Sequence, residues 1–249
     1  MNLLYDDLTV YIILFCVALI ASAIDAIAGG GGLLVVPTML LLGLNPLVTL
    51  GTNKLQSCFG TATSSYNYFK NGLLKEKNIK FLFLISFIGS FFGTLLVSQL
   101  SNEILNTIIP IFLISAAIFL IVNKQMNIKS VYIISSFFIP FIFLIGFYDG
   151  FFGPGTGTFF VLIFLIIKQR NLMEATSATK VLNFSSNFAA FLVFAYKGLV
   201  IWELGLIMAI AQILGAYIGS NLAITKGENF VRPVIVLISI ILSIRILIS

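Results

Sequence analysis

Ten apolar segments, separated by short polar connections, fill this chain at approximately 8–28, 33–44, 46–69, 81–100, 104–123, 130–149, 156–167, 174–196, 204–224 and 233–248. Eight of them approach the roughly 20 residues a helix needs to cross hydrocarbon. The other two, 33–44 and 156–167, are short. At about 1.5 Å per residue, such a helix covers about 18 Å of a core about 30 Å thick. Only 9% of the residues are charged and 59% are hydrophobic, with a mean hydropathy of +1.12. Soluble domains carry about 25% charged residues. The expected fold class is therefore an all-α polytopic membrane protein, with lipid as its solvent. The N-terminus, MNLLYDD, has no basic stretch ahead of its first apolar run, so that run is expected to be a retained span and not a cleaved signal.

An internal repeat explains why the short segments come as a pair. DAIAGGGG begins at Asp25 and DGFFGPGTG at Asp149, an offset of 124. Lys54 and Lys180, Gly72 and Gly198, Gly89 and Gly215, and Gly93 and Gly219 then match at 126. Two units of five segments are expected, 1–124 and 125–249, forming one membrane domain. Five is odd, so the second unit enters the membrane from the opposite side and the repeats are inverted. Charge tests this. With the N-terminus outside, Lys70, Lys75, Lys77, Lys80, Lys124, Lys129, Lys168, Arg170, Lys226 and Arg232 face the cytoplasm, and Lys197 alone lies in an outer loop. The rival reading has eight crossings, re-entrant short segments and parallel repeats. Its better orientation places seven basic residues inside and four outside, a weaker match to the positive-inside pattern. The net charge of +5 thus reads as orientation and not as a nucleic-acid surface.

Lipid cannot satisfy free backbone N–H or C=O groups, so a broken helix at membrane depth must be covered by protein or water. Gly29–Gly32 and the run Gly153–Gly157 break their helices. The helix after each break starts with unpaired N–H groups and a positive dipole end, an anion-binding arrangement. The bland alternative is close helix packing, which is the reading for the GxxxG pairs Gly89/Gly93 and Gly215/Gly219. Neither break continues into the Lys-Ser/Thr of a phosphate-binding loop.

The substrate-binding candidates are Gly30, Gly31, Gly32, Thr52, Asn53, Lys54 and Ser57 in the first copy, with Gly155, Thr156, Gly157, Thr179, Lys180 and Asn183 in the second. Lys54 and Lys180 are intramembrane charges, which are costly and mark a partner or a pathway. The alternative is that each snorkels to the headgroups. Asp25 and Asp149, one before each break, have three readings: pairing with the lysines, carrying a coupled proton or cation, or facing water at a helix end. With no histidine in the chain, any proton coupling runs through a carboxylate or the substrate. Histidine triads and histidine-ligated zinc are excluded, and Cys16 and Cys58 have no metal or redox spacing. No cofactor, metal or catalytic residue is expected, and the chain is read as a non-enzyme.

DAIAGGGGLLVVPTMLLLGLNP…GTNK, followed by GFYDGFFGPGTGTFF…ATSATKVLNFSSN, resembles the sulfite exporter TauE/SafE family, also called the toluene-sulfonate uptake permease family, over essentially the whole chain. The resemblance marks Asp25, Gly29–Gly32, Pro37, Thr52, Asn53 and Lys54, then Asp149, Gly153, Pro154, Gly155, Gly157, Thr179 and Lys180. It implies transport of sulfite, sulfonates or other organosulfur anions. The expected function is a secondary transporter of a small anion, working by alternating access around a site between the two breaks. Its expected location is a bacterial inner membrane. An accessory subunit of another membrane complex and a carrier of a non-sulfur anion are the alternatives.

Overall fold

The computed structural model describes residues 7–122 and 135–227, and every regular element among them is helical. In order they are α1 (Asp7–Ala28), α2 (Gly32–Leu41), α3 (Pro46–Lys70), α4 (Ile79–Val97), α5 (Asn102–Val122), a 3-10 turn (Ser135–Phe137), α6 (Phe138–Phe151), α7 (Thr156–Ile166), α8 (Leu172–Tyr196) and α9 (Trp202–Lys226). The tenth expected segment, 233–248, lies outside the described residues, as do Lys124, Lys129, Arg232 and Arg245.

Three of these helices are both long and apolar enough to cross a membrane: Leu8–Ile27 of α1, α4 and α9. Eight long spans are expected; α6 has only 14 residues, the segment 233–248 lies outside the described residues, and for α3 and α8 the reason is chemical. At 25 residues, α3 and α8 have the length. They also carry much of the buried polar inventory, including Thr49, Asn53, Lys54, Gln56, Thr61 and Ser64 on α3 and Thr176, Lys180, Asn183, Ser186 and Asn187 on α8. The outer faces are the reverse. Phe81, Leu84, Phe92 and Leu96 on α4, and Leu206, Ile210, Leu214 and Ile218 on α9, are exposed. Polar groups inside and apolar groups outside suit a chain surrounded by lipid.

Packing respects the repeat. Helix α1 lies on α9, and α6 on α4. Helix α3 contacts α9, α8 contacts α4, and α3 and α8 meet each other. Each contact is regenerated when the helices of one unit are exchanged for their counterparts in the other. The close contacts need glycine. A Cβ at Gly93 would collide with the carbonyl oxygen of Phe147, and one at Gly219 with that of Ala23. Small residues thus bring α4 to α6 and α9 to α1, as the GxxxG spacing predicts.

The chain directions follow from specific contacts. Tyr68, near the end of α3, donates from its hydroxyl to Ala26 O, near the end of α1, at 2.8 Å, so these two helices run the same way. Leu42 and Leu44, just past α2, share an apolar cluster with Val10 and Leu14 of α1, so α2 doubles back toward the start of α1. In the second unit Phe164 of α7 meets Phe138 at the start of α6, with ring centroids 5.5 Å apart, and Lys168 lies 4.5 Å over the Phe138 ring. Tyr68, Leu73 and Leu74, at the end of α3, join a cluster that contains Leu172 at the start of α8. Helices α3 and α8 are therefore antiparallel. Glu76 after α3 and Arg170 after α7 form an ion pair at 3.3 Å, so those two connections occupy the same end. Leu199, after α8, clusters with Leu47 and Leu100 at the other end.

Candidate functional site

The two glycine breaks meet inside this frame. Helix α1 stops at Ala28 and α6 at Phe151, three and two residues after their aspartates. Gly29 (φ +82°) and Gly30 (φ +95°) turn the first break; Gly153 (φ +98°) and Gly155 (φ +88°) turn the second. The second left-handed residue is shifted by one because Pro154 stands where the first copy has Gly30. A proline ring holds φ near about −65°, so the positive φ passes to the next residue. Gly31, the counterpart of Gly155, is right-handed at φ −53°. Among the described groups, no hydrogen-bond acceptor faces the backbone N–H of Gly30, Gly32, Gly155 or Gly157. These are the orphan donors expected where a helix begins.

One cavity, with about 510 Å³ of empty space including its opening, takes in both breaks. Gly30, Gly31, Gly32, Asn53, Lys54, Ser57, Gly155, Thr156, Gly157 and Asn183 line it, together with Asp25 and Asp149. Three sequence candidates do not line it. Thr52 turns away and accepts the backbone N–H of Ile201 at 3.0 Å. Thr179 is fully buried, and its hydroxyl oxygen meets no partner among the described residues. Lys180 reaches the cavity only through Asp25.

The lysines do not snorkel. Lys54 and Lys180 each lie eight residues into their helices, with side chains only 2% and 1% exposed. Because α3 and α8 are antiparallel, each lysine meets the aspartate of the other unit. Lys54 Nζ donates to Asp149 Oδ1 at 2.8 Å and to Asn187 Oδ1 at 3.0 Å. Asp149 also has the Thr156 hydroxyl 3.2 Å from Oδ1, and accepts from the Ser186 hydroxyl at Oδ2. Lys180 Nζ donates to Asp25 Oδ2 at 3.0 Å and to the Asp25 backbone oxygen, while Gly31 N donates to Asp25 Oδ1 at 3.3 Å. Each ammonium is thus neutralised across the interface between units, as a buried charge requires.

Further polar groups complete the lining. Thr61 and Asn187 sit four residues beyond Ser57 and Asn183 and match each other at the 126 offset, so helical spacing marked them, although sequence reasoning did not single them out. Gln212 of α9 also lines the cavity. Its repeat counterpart is Ser86, so no symmetry argument finds it. Gln212 Nε2 donates to Gln56 Oε1 at 3.1 Å, and Gln56 Nε2 donates to Asn53 Oδ1 at 2.8 Å. The Asn53 carbonyl is thereby occupied, and its NH₂ remains a donor. Lys54 can only donate, so Asn187 must offer it oxygen, and its NH₂ is likewise kept as a donor. Asn183 Oδ1 is buried and meets no partner among the described residues. With the two ion pairs cancelling, the cavity wall is rich in backbone and amide donors, which favour an anion.

The model of the family described as sulfite exporter TauE/SafE matches residues 14–246. A "probable membrane transporter protein ORF9" of Sinorhizobium sp. is 42% identical over 240 residues, covering 94% of this chain and 91% of its own. A "probable membrane transporter protein" of Haemophilus influenzae is 36% identical, covering 93% and 92%. The "probable membrane transporter protein YfcA" of Escherichia coli K12 is also 36% identical, covering 94% and 88%. No solved structure matches significantly. The chain belongs to the TauE/SafE family of membrane proteins.

Proposed function

We propose that this TauE/SafE-family chain is a secondary transporter of a small anion, with sulfite or an organosulfonate as its substrate. The observation that carries the reading is the convergence of two broken helices, with their unpartnered N–H groups, on one cavity that also holds Lys54 and the Asn53 and Asn187 amides. Helix N-termini and amide donors suit the oxygens of a sulfur oxyanion. The family's description as a sulfite exporter supports the sulfur class, and the names of the relatives support transport.

The two units act as inverted repeats that exchange access to the site by rocking. The antiparallel run of α3 and α8 and the reciprocal helix packing support this arrangement. So does the Glu76–Arg170 pair, because the eight-crossing alternative would send those connections to opposite sides. The same end carries Lys70, Lys75, Lys77, Lys80 and Lys168, and is the cytoplasmic one in a bacterial inner membrane. Lys54 balances the anion's charge at the cavity. Lys180 holds the first break through Asp25.

The test is uptake of radiolabelled sulfite into proteoliposomes, with isethionate, sulfoacetate and a carboxylate as competitors. Saturable uptake that sulfonates compete and the carboxylate does not is expected. Uptake no faster than in protein-free liposomes for every sulfur anion would overturn the proposal.

A further inference from the structure

A singly charged anion, such as hydrogensulfite or a sulfonate, entering the cavity alone would give the buried site a net charge of −1, because Lys54 cancels Asp149 and Lys180 cancels Asp25. An uncompensated charge in that position is strongly disfavoured. A proton entering with the anion keeps the site neutral, and the two carboxylates differ in the hydrogen-bond partners around them.

We propose that Asp149 is the proton carrier of an anion–proton symport, protonated at Oδ1 as the anion takes its place on Lys54. The inference rests on reading the cavity as an anion site. In the free state Asp149 Oδ1 is the charged partner of Lys54. The incoming proton bonds to Oδ1, and the Nζ–Oδ1 ion pair breaks. Lys54 stays an ammonium, anchored by Asn187, and turns its freed N–H to the anion. The site holds Lys⁺ and Asp⁻ before the step, and Lys⁺, anion and neutral carboxyl after it, so the net charge is zero throughout. On the other side of the membrane the anion leaves, the proton returns to water, and the ion pair re-forms.

The partners of Asp149 permit this change. Thr156 and Ser186 offer hydroxyls, which accept as well as donate and so can hold a neutral carboxyl. Apart from its lysine, Asp25 has the Gly31 N–H, which only donates, where Asp149 has two hydroxyls. Protonating Asp25 would also free a lysine that does not line the cavity. The ionisable groups around Asp149 are few. Helix α3 brings Lys54 and, one turn on, Cys58. Tyr148 on α6 donates to Pro154 O at 2.9 Å, and α1 brings Asp25 across the cavity. Helices α7 and α8 bring Thr156 and Ser186 to Asp149 and Asn187 to Lys54, while Ser90 bonds Ser186 O, Thr94 bonds Gly150 O and Phe112 packs on Tyr148.

Infrared difference spectroscopy of the full chain in membranes, with and without saturating sulfite, reads the carboxyl directly. A C=O stretch of a protonated carboxylic acid is expected on sulfite binding in the wild type. It should be absent in Asp149→Asn and present in Asp25→Asn wherever that variant binds sulfite. A second measurement uses the wild type alone, with isethionate, a sulfonate that stays ionised. One proton taken up per anion makes affinity fall as pH rises, by about tenfold per pH unit once Asp149 is deprotonated in the free protein. Sulfite binding without the carboxyl band, a band that survives in Asp149→Asn, or isethionate affinity independent of pH would each overturn the coupling and leave anion transport standing. Failure of the wild type to bind either anion would overturn the anion site and the coupling with it.

Discussion

Lys54–Asp149 and Lys180–Asp25 are built from positions that match at sequence offsets of 124 and 126, yet their surroundings differ. The Asp149 side chain is 5% exposed, hydroxyls surround it, and its lysine faces the cavity. The Asp25 side chain is 21% exposed, and its lysine lies off the cavity and also grips the Asp25 backbone oxygen. That oxygen ends α1, so Lys180 places a positive charge where the helix dipole is negative. One lysine thus faces the cavity, while the other fastens a helix end. A repeat can reproduce geometry while a few local substitutions divide the work.

The largest test of this difference removes each carboxylate in turn. Asp149→Ala leaves a buried ammonium with one amide partner and is expected to cost about 3–5 kcal/mol. Asp25→Ala should cost clearly less, because Lys180 keeps a backbone carbonyl and the site is partly open. Thermal unfolding in one detergent compares them, and equal losses would erase the distinction. Asn187→Ala comes next, at about 1.5–3 kcal/mol, since it strips a hydrogen bond from a charged group. It should also weaken sulfite binding, whereas Asn183→Ala, which leaves Lys54 untouched, should lose affinity without comparable loss of stability. Gly155→Ala forces a side chain into left-handed backbone at about 1–2 kcal/mol, and Gly155→Asn should cost less. The smallest effect is expected at Thr61→Ala, within about 0.5 kcal/mol, because that hydroxyl already donates to Ser57 O at 2.6 Å.

Much of the fold was legible because lipid imposes strong rules. Apolar length and the glycine breaks pointed to the helices, and the breaks with Lys54 pointed to residues that meet around one cavity. The repeat offset also led to Lys180 and Thr179, neither of which lines the cavity. Thr61 and Asn187 were in reach of helical spacing. Gln212 was not, since its role depends on how α9 packs against α3, and no local pattern encodes that. The crossed pairing of each lysine with the other unit's aspartate likewise required the antiparallel placement of α3 and α8.

An anion seated between the two breaks on Lys54 should lose affinity when that ammonium is removed. Equilibrium binding of radiolabelled sulfite to purified wild type, Lys54→Gln and Lys180→Gln, each checked for folding by its melting curve, tests it most directly. Saturable binding in the wild type, at least about tenfold weaker in Lys54→Gln and closer to wild type in Lys180→Gln, is the expected result. A folded Lys54→Gln that binds sulfite as tightly as the wild type would contradict it.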